Sequence, residues 1–314
     1  MFKNRKSILA AASLVALLGL AACGNPGNTT DSSSSSAAET RSLTDAQDHT
    51  VEIPNKPKRV IASYLEDYLV ALDEKPVAQW TVGQGSIQNY LQDELEDVPT
   101  ISYDLPYEEV LKYEPDLLLI GSSATVEGGK YDEYAKIAPT YVVNNGDSVT
   151  WEDQLNEIGK VFNKEDQAKQ VEEDYKTLIT QTKEDLGDKI EGKSAAVLWV
   201  TNNSAFMVAE DRSSGRLLYG DLGFEVPELT KEVSEQATSD WSAVSLESLS
   251  QLDADYLFLV NSDQGAAMFE DPLWENIPAV KNEQLHEFGP ETSWLYNGPI
   301  AYTKMVESIN EVLK

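Results

Sequence analysis

A short pattern occurs twice in this chain, once in each half, and it restricts the fold more than any other feature. Glu108-Glu-Val-Leu-Lys-Tyr-Glu-Pro-Asp116-Leu-Leu-Leu-Ile120 aligns without a gap onto Glu247-Ser-Leu-Ser-Gln-Leu-Asp-Ala-Asp255-Tyr-Leu-Phe-Leu259. In both copies a Glu opens an amphipathic helix, and a later Asp begins a continuous apolar run of the kind that forms a strand covered on both faces. Helix-turn-strand units are common in α/β proteins, so one such match would say little. Two copies on either side of the midpoint imply two similar α/β lobes, each presenting a Glu at an equivalent helix N-terminus.

The rest of the body fits that division. Thr50-Val51-Glu52-Ile53-Pro54 alternates like an edge strand, and Arg59-Val60-Ile61-Ala62 reads as a buried strand entering a helix near Leu65. Residues 115–121 and 140–143 continue the series, followed by a helix over Trp151–Phe162. A second set has strands at 195–200, 205–209 and 255–260. Between the sets, Asn163 is placed to cap a helix through Asp166. Ala168, Val171, Tyr175, Leu178, Ile179, Thr182 and Leu186 then recur at three- and four-residue steps until Gly187. A helix of about 24 residues would span roughly 36 Å, the width of a small domain. Its position makes it a rigid connector, so the expected divisions are an N-terminal lobe over residues 42–162, a connecting helix over 163–187 and a C-terminal lobe over 188–314.

The beginning of the chain reads as an export signal. Lys3, Arg5 and Lys6 precede an apolar stretch at residues 8–20, too short for a spanning helix and closed by Gly24-Asn25-Pro26-Gly27. Leu20-Ala21-Ala22-Cys23, which holds the only cysteine, resembles the lipobox of bacterial lipoproteins. That resemblance implies a signal peptide over residues 1–22 and a Cys23 that becomes the diacylated N-terminus, anchored to the outer face of the bacterial cytoplasmic membrane. Two acyl chains, at ~0.8 kcal/mol per buried CH2, hold a protein on a bilayer far better than one. Residues 23–41 then form the lipidated Cys and a flexible Ser-rich tether, with serine throughout 32–36 and an r.m.s. span of roughly 20–25 Å. With no second Cys, an intramolecular disulfide is excluded and stability rests on packing.

The chain has 24 basic and 54 acidic residues, a formal net charge of −30, and loss of the signal makes it three units more negative. Such a body is repelled by phosphate, which excludes nucleic acid as a partner. The charges are interspersed with apolar residues, and hydrophobic types make up 41%, enough for a sizeable core.

Several segments, in order, resemble the substrate-binding lipoproteins of the ABC importers for iron siderophores, haem and vitamin B12. They are Val51-Glu52-Ile53-Pro54 with Pro57-Lys58-Arg59-Val60, then Leu72-Asp73-Glu74-Lys75-Pro76-Val77 and the Glu108 to Asp116 element. Later come Leu218-Tyr219-Gly220-Asp221-Leu222-Gly223-Phe224, Val244-Ser245-Leu246-Glu247, Pro272-Leu273-Trp274 with Ile277-Pro278-Ala279-Val280, and Trp294-Leu295-Tyr296-Asn297-Gly298-Pro299. The chain departs from the family's pattern at Asp73-Glu74, where Gly-Val is usual, and at Ala254, where Pro precedes the Asp. The resemblance covers essentially the whole body. It implies an α/β fold of two Rossmann-like lobes joined by a single long α-helix, with the ligand in a cleft between the lobes. It further implies a monomeric, non-enzymatic binding protein without a cofactor, which delivers its ligand to a permease and its ATPase. Glu108 and Glu247 match the family's permease-docking acids.

The residues narrow the ligand. Bare-metal importers use several His, and this chain has only His49 and His286, both read as solvated surface residues. An organic chelate needs aromatic walls and a few donors. Trp80 and Tyr103 from the first lobe, with Trp294 and Tyr296 from the second, are the aromatic candidates. Arg212 and Arg216 lie in a loop that faces the cleft in siderophore binders, and the resemblance gives Arg216 first place as a contact to the iron-bound oxygens. A guanidinium suits that task because its fork of donors reaches two oxygens at once. A trianionic catecholate would need a basic cluster that is not seen, so a neutral ferric trihydroxamate is favoured. Citrate-type ligands remain an alternative if both Arg face inward, and haem or cobalamin are alternatives within the family. A surface hydrolase is the remote competitor: a Ser-His-Asp triad would need His49 or His286, and no Gly-x-Ser-x-Gly elbow is present.

Overall fold

The computed structural model describes residues 39–83, 85–146 and 148–314. The signal peptide, Cys23 and most of the tether lie outside the described residues. The body opens with a hairpin of β1 (Thr40–Thr44) and β2 (Thr50–Pro54), in which Arg41 pairs with Ile53. Arg41, expected at the end of the tether, is therefore inside a strand. Its guanidinium also donates to the Val161 carbonyl and to Asn163 Oδ1.

The first lobe is built on β3 (Val60–Ser63), β4 (Ala78–Trp80), β5 (Thr100–Ile101), β6 (Leu117–Ile120) and β7 (Thr140–Val142), all parallel in the order β5-β4-β3-β6-β7. Every residue of β3 and β6 is buried, as parallel strands with helices on both faces require. The second lobe uses β8 (Ala195–Thr201), β9 (Ser204–Val208), β10 (Trp241–Val244), β11 (Tyr256–Asn261) and β12 (Leu285–Phe288), ordered β10-β9-β8-β11-β12. Here β8, β11 and β12 are parallel, β9 runs antiparallel to β8, and β10, antiparallel to β9, returns to the direction of β8. The reversal has a local cause. Asn202 and Asn203, between the paired Thr201 and Ser204, both have positive φ (49° and 52°), the conformation of a two-residue hairpin turn that asparagine tolerates.

The repeated motif does the same work in both lobes. β6 lies beside β3 and β11 beside β8. Asp116 accepts hydrogen bonds from the backbone N–H of Lys58 and Arg59 at 2.9 Å each, just before β3. Asp255 accepts from Ser194 N at 2.9 Å and from Lys193 Nζ at 3.1 Å, just before β8. Each Asp thus pins the start of its strand to the start of the neighbouring one.

Three helices separate the first sheet from the second in the chain, and the longest of them is Glu165–Asp185. It starts two residues later than expected because Asn163 ends the preceding helix instead of capping this one. Asn163 takes the left-handed conformation (φ 56°, ψ 41°) after Trp151–Phe162, a helix that opens with a Thr150–Asp153 capping box. Ala168, Tyr175 and Thr182 are buried along one stripe, with Val171, Leu178 and Ile179 half-buried beside them. The two helices approach so closely that a Cβ on Gly159 would lie 2.9 Å from that of Ala168.

Three apolar layers result. One face of the first sheet (Ile61, Leu118, Ile120) packs an outer cluster, as does one face of the second (Leu198, Met207, Leu257). The inner faces of both sheets join a single cluster that includes Val60, Leu119, Val197, Phe258 and the C-terminal helix Pro299–Leu313. His286, expected on the surface, is stacked on Phe258 at 5.7 Å, and burial pushes its pKa down.

A candidate ligand cleft

The C-terminal ends of parallel strands are where α/β sheets bind ligands, and here those ends from both sheets converge. Tyr64 follows β3 with φ 62°. Trp199 and Thr201 belong to β8, Ser262 follows β11, and Trp241 begins β10. With Tyr296 they line a cavity of about 540 Å3, within the usual range for small-molecule sites. Trp199 and Trp241 meet edge to face at 6.1 Å, and Tyr64 lies 6.0 Å from Tyr296. Two hydrogen bonds fix these walls: Trp199 Nε1 donates to Ser262 Oγ at 2.9 Å, and Tyr296 Oη donates across the lobes to the Ile87 carbonyl at 3.2 Å.

A smaller polar compartment of about 210 Å3 adjoins it, lined by Arg212, Arg216, Asp240, Asn297, Gln154 and Trp151 among others. The two share a wall, since Asp240 and Asn297 are the chain neighbours of Trp241 and Tyr296, and Asn297 Nδ2 donates to Asp240 Oδ2 at 3.3 Å. Arg216 begins the π-helical segment Arg216–Leu222. Its Nη2 reaches both carboxylate oxygens of Glu152, from the first lobe, at 3.1 and 3.3 Å. Arg212 Nη1 lies 3.9 Å from Asp240. Trp151 Nε1 and Ser213 Oγ, both buried, have no hydrogen-bond partner among the described residues.

Of the residues expected at the cleft, Tyr296, Arg212 and Arg216 line it. Trp294 does not: it is fully buried and stacked on Phe288 and Phe258 at 4.8 and 5.3 Å. It sits in the 3-10 turn Ser293–Leu295. Consecutive side chains there point about 120° apart, so Trp294 turns inward while Leu295 and Tyr296 face the cavity. Trp80 stands behind the wall, edge-on to Tyr64 at 5.3 Å, with its indole donating to the Tyr103 carbonyl at 2.8 Å. The Tyr103 side chain is exposed. Glu108 and Glu247 are both exposed in the first turns of Tyr107–Lys112 and Leu246–Leu249. Tyr64, Trp199 and Trp241 were not read from the sequence. Tyr64 had a signal, since it directly follows a buried strand. Trp199 lies in a run that reads as uniform core, and only its place in the sheet turns it to the cleft.

Beneath this wall lie two adjacent buried acids. Glu66 accepts from Trp80 N at 2.6 Å, but its second oxygen has no partner among the described residues, and burial pushes its pKa up to about 8. Asp67 is raised to about 6 by burial, against hydrogen bonds from Ile300 N, Tyr90 Oη and Ala301 N. Through Ile300 and Ala301, Asp67 caps the C-terminal helix from the other lobe. Both acids hold their proton more firmly folded than unfolded, so between about pH 4.5 and 8 Glu66 lowers stability as pH rises. Glu66→Gln keeps the acceptor and removes that loss. Its thermal midpoint is expected to exceed the parent's at pH 8 by at least about 2–4 °C, the effect of 1 kcal/mol in a chain of this size. The gain should shrink at pH 5, and an equal gain at both pH values in thermal denaturation would refute the assignment.

Two α/β lobes that close an aromatic cavity between their strand ends define a two-lobed solute-binding protein. The chain belongs to the periplasmic binding protein family, whose model matches residues 63–292. It is 27% identical over 307 residues to the iron(3+)-hydroxamate-binding protein FhuD of Bacillus subtilis, covering 96% of this chain and 95% of that one. It is 29% identical over 292 residues to the probable siderophore-binding lipoprotein YfiY of the same organism, covering 87% of each. Among solved structures, Staphylococcus aureus SirA complexed with staphyloferrin B aligns with a TM-score of 0.71 at 27% identity, over 87% of this chain and 98% of that one. The FhuD protein from S. pseudintermedius gives 0.72 at 19% identity over 88% and 98%, a likeness of fold.

Proposed function

We propose that this protein captures a ferric siderophore of the hydroxamate type outside the cytoplasmic membrane and delivers it to an ABC permease driven by its ATPase. In this reading it is a monomer held to the membrane through a lipid on Cys23, and it docks through Glu108 and Glu247. The observation that carries the reading is the aromatic cavity, whose described lining has no Arg or Lys. A neutral iron-trihydroxamate complex presents an apolar shell that such walls can cover, whereas a trianionic catecholate would be left without a counter-charge. The names of the relatives support the same class. Citrate-type ligands have one observation in their favour, since Arg212 and Arg216 both line the polar compartment. The acids beside each guanidinium weigh against them.

The test is a titration of the purified protein with ferric trihydroxamates, catecholates, citrate, haem and cobalamin, followed by Trp fluorescence. Hydroxamates whose ferric complex is neutral are expected to quench saturably with little dependence on salt, because a neutral complex is not screened. Tight catecholate binding with hydroxamates inactive would overturn the assignment. Arg216 is proposed to donate to the chelate's oxygens from the polar side. Arg216→Ala should then weaken binding by roughly 1.5–3 kcal/mol, the range for a hydrogen bond to a charged group. Glu152→Gln frees the guanidinium, so it should leave affinity equal or higher; a loss in that variant as large as in Arg216→Ala would assign the pair to holding the lobes together instead.

A further inference from the structure

Among the described residues lining the aromatic cavity, Glu291 is the one that carries a charge. It is exposed at the rim, in the turn at residues 289–292, where Thr292 N donates to the Gly289 carbonyl at 3.2 Å. Its carboxylate folds back over Gly289, so that a Cβ there would lie 2.2 Å from both oxygens. Glycine at 289 is what lets the acid take this position. No ion pair holds Glu291 among the described residues, although most of the cleft's other charges are matched.

The neighbouring acids offer no cation to offset it. Glu66 lies buried behind the wall with one oxygen unpartnered among the described residues, and its charge helps raise the pKa of the Tyr296 phenol, after burial. Burial, Tyr296, Asp240 and Glu66 together raise that of Tyr64. The two cations of the cleft stand in the other compartment, Arg216 against Glu152 and Arg212 near Asp240. Aromatic rings attract cations through their negative faces. Four rings (Tyr64, Trp199, Trp241, Tyr296) and one carboxylate, with no cation among the described residues of the wall, match an ammonium group.

We infer that the ligand is a cationic chelate: a ferric trihydroxamate, neutral at the iron, that carries a protonated amine, with the amine directed to Glu291 at the cavity rim. Three hydroxamates cancel the charge of Fe3+, so the amine gives the complex a single positive charge. The inference rests on the hydroxamate reading and adds the charge that selects among hydroxamates.

Two probes test it: the ferric complex of a linear trihydroxamate ending in a primary amine, and the same complex with the amine acetylated. The full-length protein and Glu291→Gln are titrated with each. The parent is expected to prefer the amine-bearing chelate by about five- to ten-fold, the combined effect of a partly exposed ion pair and a cation–π contact, and the preference should fall as salt rises. In Glu291→Gln the ratio should drop to about one to two. Equal affinity of the parent for both chelates, or a variant that keeps the full preference, overturns the inference while leaving the hydroxamate reading intact. If neither chelate binds and another iron complex does, the hydroxamate reading fails and the inference falls with it.

Discussion

Cells whose only copy of this protein carries Glu108→Ala and Glu247→Ala are expected to take up essentially no ferric chelate, although the purified variant binds it as tightly as the parent. Both residues are exposed in the first turn of short helices, one per lobe. The Asp residues of the repeated motif fix each helix against equivalent strands, through Lys58 and Arg59 in one lobe and Ser194 in the other. At its own helix each Glu contributes only about 0.3–1 kcal/mol through the macrodipole. Loss of both should therefore leave folding unchanged, and neither lines a described pocket. In the proposed docking each acid would meet a basic pocket on one half of the permease, so single variants should retain part of the uptake. Uptake of labelled chelate at the parental rate by the double variant would reject the docking role, and loss of ligand binding would move these residues to the wrong site.

Trp241→Ala is expected to weaken chelate binding by about 30- to 1,000-fold, the effect of removing an aromatic anchor worth roughly 2–4 kcal/mol, and to remove much of the fluorescence quench. Trp241 stands half-buried at the start of the edge strand, edge-on to Trp199 at 6.1 Å. It has a face to offer a ligand and little core to lose. Trp294→Ala makes the contrast. Its ring lies wholly among Phe258, Phe288 and the inner cluster, so truncation should cost about 3–5 kcal/mol of folding free energy. Isothermal titration and denaturant unfolding of the two variants separate the roles. Trp241→Ala that binds like the parent would remove the aromatic cavity from consideration as the ligand site.

These two tryptophans also show how far the sequence could be read. The strands at 117–120 and 256–261, the long helix and the repeated Asp were legible because their periodicity and burial are local properties. Trp294 sat in the motif that resembles the family most closely, yet a single 3-10 turn decided which neighbour faced inward. Trp199 lies within an apolar run, and periodicity cannot tell which face of a buried strand looks at another lobe. Glu152 was invisible as the partner of Arg216, because the two are brought together only by the packing of one lobe on the other.

The inner apolar cluster runs without a break from the first sheet, through the Trp151–Phe162 and C-terminal helices, to the second, and Asp67 ties the first lobe to the helix that closes the chain. Parting the lobes widely would expose that layer to water, at about 25 cal/mol for each Å2. The protein is therefore built more like a socket than a pair of jaws, and a wide hinge closure around the ligand is disfavoured. The same stiffness makes unloading the difficult step. If the proposed docking holds, a transporter that grips one acid on each lobe would hold both ends of a lever, and the work of prising the seat open would fall to the machine on the membrane.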